Sequence, residues 1–196
     1  MSETKPSIRG FSLIELMVTI AVLSVILMAA LPSFNEFRQR SALRGAGDQI
    51  ISFWTNARFE ALKRNSLVKV SISLSGNSYC LGAEVTTSRT DSTKCNCFTN
   101  ACTIGNYPSS QAEWKRVRLL TDPNTTIGNG NGVVVIDPKR AALASSNQAG
   151  YWDLASPTDG PDYRLRVNID QFGRAVMCEP AAAGSKMPQF SDKRCN

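Results

Sequence analysis

Histidine is absent from all 196 residues. That removes the commonest general base, the Ser-His and Cys-His arrangements of nucleophilic catalysis, and the commonest zinc ligand. No catalytic triad or glycine-rich phosphate loop stands in the chain. The stretch Gly128-Asn129-Gly130-Asn131-Gly132 has the composition of a calcium loop. An EF-hand loop, however, wants glycine at its sixth position and glutamate at its twelfth, and here Ile127 and Val133 occupy them, so the stretch reads as a turn. No enzyme, metal or cofactor is expected.

Charge is missing locally. From Phe11 to Leu31 only Ser12, Glu15, Thr19 and Ser24 are polar, and Glu15 is the one ionisable group. As a helix these residues span roughly 31 Å, near the thickness of a bilayer's hydrocarbon core. The run is too long for the apolar core of a secretory signal peptide, and Met28-Ala29-Ala30-Leu31-Pro32 lacks an Ala-x-Ala site. A plain membrane anchor fits the length but leaves Glu15 and the Gly10–Phe11 junction unexplained, because a carboxylate inside such a run is costly.

Arg9-Gly10-Phe11-Ser12-Leu13-Ile14-Glu15-Leu16-Met17 resembles the leader junction of type IV pilins and of type II secretion pseudopilins. The resemblance implies that a prepilin peptidase cuts between Gly10 and Phe11 and methylates the new Phe11 amine. Glu15 is then the fifth mature residue, and Pro32 falls where many pilins carry a helix-bending proline. Elementary chemistry agrees. Glycine lets the backbone lie close in a protease cleft. Lys5 and Arg9 hold the leader on the cytoplasmic side of the inner membrane, so the single-pass chain faces its head into the periplasm. Glu15 sits about 6 Å along a helix from the mature amine. A salt bridge from Glu15 to the Phe11 amine of a neighbouring subunit fixes axial register, since leaving either charge alone in low dielectric is costly.

Beyond Pro32, Leu43, Ala46, Ile50, Phe53 or Trp54, Ala57 and Ala61 recur at steps of three and four. This is the stripe of an amphipathic helix that ends near Asn65 and packs on a sheet. Gly45 and Gly47 weaken its middle and mark a bend or a stretch that melts. Residues 57–65 are similar to the helix end of the FimT/FimU minor pilins and GspH pseudopilins. Strands are read at Leu67–Leu74, Ser78–Leu81, Lys115–Leu120, Gly132–Ile136, Tyr163–Ile169 and Arg174–Cys178. Between them, Val85–Ser110 reads as a long loop tied down by cysteines. Pro138–Asp162 reads as polar and turn-rich, with Trp152 anchoring a small cluster. The expected organisation is a leader over 1–10, a membrane or filament-core helix over 11–31, an amphipathic helix over 32–65 and a β-rich head over 66–196. The fold class is α+β, a long helix on antiparallel sheet.

Six cysteines in an exported head read as disulfides. Cys95 and Cys97 are poorly placed to bond each other. The shortest scheme joins Cys178 to Cys195 across the tail, a loop worth about 3 kcal/mol in the chain-entropy account. That loop also resembles the disulfide-closed C-terminal loop of many pilins. Cys80 then takes Cys95 or Cys97, and Cys102 the remaining one.

From Arg38 onward there are 20 Lys and Arg against 13 Asp and Glu, about +7, a balance that favours polyanions. Arg116 and Arg118 share one strand face, Arg164 and Arg166 another, and Arg174, Lys186, Lys193 and Arg194 follow. Such a stripe is a candidate grip for DNA phosphates. DNA-uptake pilins of the FimT type carry Gly-Arg-x-Arg near this point. Here the string is Gly173-Arg174-Ala175-Val176, with valine for the second arginine.

The family resemblance implies a minor type IV pilin that helps initiate or cap a pilus, with other pilins as partners through the N-terminal helix. A GspH-type pseudopilin of type II secretion and a DNA-binding pilin for natural transformation are the alternatives. If the leader reading holds, mass spectrometry of the purified chain finds N-methyl-Phe11 as its first residue. Replacing Gly10 by a bulky residue leaves the uncut precursor in the membrane fraction. An intact leader in the wild type, or a cut near Pro32, contradicts it.

Overall fold

The computed structural model describes residues 11–76, 78–108, 117–120, 127–157, 162–181, 187, 190 and 195, with residues 29–33 and 129 described by backbone alone. The chain divides into two compact units, Met1–Phe37 and Arg38–Asn196. One helix, α1 (Leu13–Arg64), contributes to both. Pro32, expected to bend it, lies within this helical span, among the residues described by backbone alone.

In the first unit the large apolar side chains from Leu13 to Met28 are each more than half exposed. The two hydroxyls among them are satisfied internally: Thr19 Oγ1 donates to the Leu16 carbonyl and Ser24 Oγ to that of Ile20. Such back-bonding lets a hydroxyl sit in an apolar helix without an unpaired group. Among the described residues no helix is long and apolar enough to cross a membrane. The expected 11–31 span runs on into residues 29–31, whose side chains lie outside the described set.

In the second unit the stripe of α1 is the seam of the core. Leu43, Ala46, Ile50, Trp54, Ala57 and Ala61 are all buried, while Phe53 is only partly so. The helix closes with Asn65 at φ 47°, in the left-handed region, and the Ser66 N–H donates to the Ala61 carbonyl at 3.2 Å. That geometry satisfies carbonyls the last turn leaves open. Gly45 and Gly47, expected to mark a bend or a melting stretch, lie inside one uninterrupted helix. A Cβ at Gly47 would sit 2.6 Å from Met177 Sδ and 2.9 Å from Leu165 Cδ2, whereas one at Gly45 would meet nothing. Gly47 is therefore a close approach of helix backbone to sheet.

Among the described residues nine strands follow: β1 (Leu67–Ser75), β2 (Ser78–Thr86), β3 (Gly105–Tyr107), β4 (Arg118–Leu119), β5 (Val133–Asp137), β6 (Ala142–Leu143), β7 (Gly150–Ala155), β8 (Arg164–Ile169) and β9 (Ala175–Cys178). They form two antiparallel sheets, in the orders β3-β2-β1-β5-β6 and β4-β7-β8-β9, as the expected α+β class requires. Of the strand expected over Lys115–Leu120, β4 holds only Arg118 and Leu119; residues 115 and 116 are not described.

Two loop expectations are corrected. The Pro138–Asp162 segment contains β6 and β7, and β7 is an interior strand of the second sheet. Trp152, expected in a small cluster, is buried in the main core with its ring edge-on to Trp54 at 6.2 Å. The alternation Trp152-Asp153-Leu154 is a strand pattern; Asp153 disguised it, and Arg166 across on β8 neutralises that carboxylate. The Val85–Ser110 loop is shorter than expected, because β2 runs to Thr86 and β3 returns at Gly105.

What remains of that loop covers the outer face of the first sheet. Its four neighbouring cysteines are joined Cys80 to Cys97 and Cys95 to Cys102, and all are buried. They sit over small residues: Ser71 Oγ lies 3.5 Å from Cys95 Sγ, and a Cβ on Gly82 would lie 2.1 Å from Cys102 Sγ and 2.5 Å from Cys95 Sγ. Beside this knot Lys69 Nζ reaches Glu84 at 2.8 Å and Asp91 at 3.1 Å, and also donates to Thr93. Burial works against the ammonium charge, but the two carboxylates outweigh it and hold the Lys69 pKa above its ordinary value. Asp91 is held well below the carboxylate range, chiefly by the Thr86 hydroxyl donating at 2.6 Å, with burial opposing and Thr93 and Lys69 assisting. Arg89 extends the clasp, pairing with Asp137 while its carbonyl accepts from Gln148 Nε2. Fully satisfied, such a network fixes the loop; half satisfied, it would be costly.

Gly82 has no room for a side chain. Gly82→Ala is expected to destabilise the head by about 1–3 kcal/mol, the usual range for overpacking. Thermal denaturation of oxidised protein reads this as a lowered Tm, while Gly45→Ala, facing open space, leaves Tm unchanged or raises it.

Candidate functional site

Two surfaces carry the residues singled out by the sequence. The first is the start of α1. Gly10 lies outside the described residues; Phe11 follows at 83% exposure. The Ser12 carbonyl accepts from the N–H groups of Glu15 and Leu16 at 3.1 and 3.2 Å, opening the helix. Glu15 stands exposed in the first turn, where the helix dipole favours an anion. Around it Leu13, Ile14, Leu16 and Met17 are more than half exposed. The arrangement is a carboxylate set in apolar surface that the described residues of this chain do not cover. Chemically it suits a low-dielectric setting in which an opposite charge is brought to Glu15.

The second surface is the arginine stripe. Arg118 on β4 lies opposite Ala155, which lies opposite Arg164; Arg166 is two residues on, opposite Asp153. The pleat thus brings Arg118, Arg164 and Arg166 to one face of the second sheet. Arg116, Lys186, Lys193 and Arg194 lie outside the described residues. The arginines that are described carry their own partners. Arg118 Nε donates to the Ser156 carbonyl at 3.1 Å. Arg164 pairs with Asp162 at 2.9 Å. Arg166 takes Asp153 with two nitrogens, at 2.7 and 2.8 Å, and lies 3.5 Å above the Tyr151 ring. Arg174 pairs with Asp170 at 2.8 Å. Burial of Asp170 raises its pKa, but the Arg174 backbone and guanidinium and the Phe172 N–H outweigh it, and the carboxyl stays below its ordinary value. A bidentate, stacked guanidinium such as that of Arg166 gives up a strong local arrangement before it can hold a phosphate.

The remaining cysteines close the tail. Cys178 at the end of β9 is bonded to Cys195, the Cys195 N–H donates to the Glu179 carbonyl at 3.1 Å, and Glu179 Oε1 accepts from the Met187 N–H at 2.7 Å. Among the described residues no group of three His, Cys, Asp or Glu side chains is placed to hold a metal.

One set of contacts was not singled out from the sequence. Trp54 Nε1 donates to the Gly173 carbonyl at 2.9 Å, and one turn along α1 Arg58 Nε donates to the Ala141 carbonyl at 2.8 Å. Gly173 has φ 73°, and a Cβ there would lie 3.1 Å from the Ala141 oxygen. The glycine of the Gly173-Arg174 string is thus where the β8–β9 turn docks on the helix. Its signal was available as a glycine in a hairpin turn, but its partner 119 positions away was not.

Residues 5–31 match the family model described as the prokaryotic N-terminal methylation motif. A curated relative, the pilin-like protein PilA1 of Thermus thermophilus, is 30% identical over 132 residues, which is 67% of this chain and 77% of the relative. No solved structure matches.

With Arg118, Arg164, Arg166 and Arg174 of the stripe already engaged, the head is expected to bind duplex DNA only in the non-specific range, micromolar or weaker at physiological salt. A mobility-shift titration of residues 38–196 at two salt concentrations checks this against Arg164→Ala/Arg166→Ala/Arg174→Ala. Tight binding lost in the triple variant contradicts it.

Proposed function

We propose a minor-pilin role on one premise: this chain belongs to the type IV pilin-like proteins. The observation that carries the reading is a division of apolar surface. Among the described residues, those of 38–196 hold all of the buried core and the three disulfides, whereas the apolar side chains from Phe11 to Met28 are left exposed. Exposed apolar surface on this scale costs roughly 25 cal/mol per Å² in water, so it demands a bilayer or other chains around it. A pilin meets both demands in turn.

In this reading a prepilin peptidase removes residues 1–10 and methylates Phe11. The helix anchors the chain in the inner membrane with the head in the periplasm. On assembly the apolar segments of neighbouring subunits replace the lipid. Glu15 then meets the amine of an adjacent subunit's first residue, a pair that sets register because either charge alone in the filament interior is costly. The similarity of residues 57–65 and of Gly173-Arg174 to GspH/FimT/FimU proteins favours a minor subunit that starts or caps the filament over a bulk one. The arginine pairing described above favours assembly over DNA capture.

Glu15→Ala is expected to leave the head folded, with an unchanged Tm, and the chain in the membrane fraction. Its share of sheared filaments drops about tenfold or more, since breaking a buried pair costs several kcal/mol. Immunoblots of filament and membrane fractions measure the partition. Wild-type incorporation of the alanine variant would remove the basis for the assembly reading.

A further inference from the structure

Near its end α1 meets two turns of the head, and the meeting point is Arg58. Its Nε donates to the Ala141 carbonyl at 2.8 Å, and its other two nitrogens have no partner among the described residues. Ala141 ends the β5–β6 turn, residues 138–141. The β8–β9 turn, residues 170–174, abuts the same point, since a Cβ on Gly173 would lie 3.1 Å from the Ala141 oxygen and 3.4 Å from Arg58 Nε. On the helix, Phe59 follows Arg58 at 66% exposure, and Leu62, one turn on from Arg58, is 48% exposed. The turns add Lys139 and Arg140, both exposed, and Phe172 at 60% exposure. Three large apolar side chains and three cations thus gather where the helix meets the turns.

The acids of these elements are already engaged. Asp170 accepts from the Phe172 and Arg174 N–H groups and from the Arg174 guanidinium, closing its own turn. Asp137 is buried, bound by Arg89 and by the Lys139 N–H. On the helix Glu60 pairs with Lys63 and Arg64. Neither Lys139 nor Arg140 has an ion-pair partner among the described residues, so the face carries surplus positive charge. Nor does the fold use the apolar groups. The β8–β9 turn is shaped by Asp170 and Gly173, not by the ring of Phe172. The helix buries its Leu43–Ala61 stripe, and Phe59 and Leu62 lie off it.

Exposed apolar groups set among uncompensated cations are complementary to a protein segment of the reverse pattern, with leucine or phenylalanine set among aspartate and glutamate. We propose that this face docks such an acidic amphipathic segment of another protein. Burial of the apolar anchors supplies most of the affinity, and the charge pairs supply association rate and register. A second copy of this chain does not fit. A two-fold contact would set the face against itself, with Lys139 and Arg140 meeting like charge. Duplex DNA would draw the cations, but its phosphate backbone offers Phe59, Leu62 and Phe172 nothing to pack on. Every residue of the face belongs to the unit Arg38–Asn196, so the proposal is independent of the N-terminal anchor and of Glu15.

The oxidised head, residues 38–196, holds the described core and the three disulfides, and the whole face lies within it. The probe is a fluorescent helical peptide of about 18 residues, with leucine and phenylalanine along one stripe and glutamate beside it. Anisotropy titrations are expected to show saturable binding. A peptide with serine for leucine and phenylalanine, and one with lysine for glutamate, bind far more weakly. Lys139→Ala/Arg140→Ala weakens binding about tenfold, the upper range for two exposed ion pairs. Phe172→Ser and Phe59→Ala each weaken it about tenfold. Arg38→Ala, which removes an exposed cation outside the face, leaves it unchanged. All of these are surface positions, and equal Tm values verify that the variants fold. Each of four outcomes overturns the proposal: no binding, binding indifferent to Phe172→Ser and Phe59→Ala, equal binding of the serine peptide, or self-association of the head through the same residues. Tighter binding to a DNA duplex or to phosphatidylglycerol vesicles, lost in the same variants, overturns it as well.

Discussion

Everything in the head depends on one helix face closing two sheets at once. Leu43, Ile50 and Trp54 lie at the centre of the core, and the ring of Trp152 from the second sheet meets that of Trp54 edge-on. Offset aromatic contacts of this kind add about 0.5–1.5 kcal/mol beyond the area they bury. The same Trp54 spends its indole N–H on the Gly173 carbonyl. A buried indole whose polar end finds a backbone acceptor fixes position as well as burying area. With Arg58 on Ala141 one turn further on, α1 addresses a hairpin turn from each sheet. The small residues Ala46, Gly47, Ala57 and Ala61 let the sheets come close enough for this.

The outer face of the first sheet is solved by different means. Its strands carry Lys69, Ser71 and Gly82 there, a composition that reads as solvent-facing. A loop too polar to pack as a hydrophobic layer covers it instead, secured by two disulfides and by the network around Asp91. Covalent closure and satisfied charge do here what apolar burial does on the helix side. The sheet is consequently buried on both faces without a second helix.

How much of this the sequence disclosed follows from the range of each interaction. The α+β class, the helix stripe and the end of the helix at Asn65 were legible because they rest on contacts within a turn or two. The β1–β2 and β8–β9 hairpins were legible because Ser75-Gly76-Asn77 and Asp170-Gln171-Phe172-Gly173 are local turn chemistry. The division into two sheets, and the place of Trp152 in the core, were not. They depend on which strands neighbour one another, and Asp153 masked the pattern until its partner Arg166 was in view. The arginine stripe illustrates the same limit at the candidate site: alternation placed Arg164 and Arg166 on one face, but only pairing across strands and turns shows that Asp153 and Asp162 already hold them.

The placement of the three disulfides has a mechanical consequence. Each one ties a strand or loop to a nearby loop or tail: Cys80 to Cys97, Cys95 to Cys102, Cys178 to Cys195. None joins α1 to either sheet, and none joins one sheet to the other. A tensile load applied through the helix therefore reaches the sheets through the backbone link Asn65-Ser66 into β1 and, along its flank, by non-covalent packing of the Leu43–Ala61 stripe and the Trp54 and Arg58 hydrogen bonds. Under increasing force that seam yields first. Once it has parted, the slack the chain can release is limited, because the stretches enclosed by the disulfides cannot pay out. The head is built to fail at one interface and to keep its loops closed when it does.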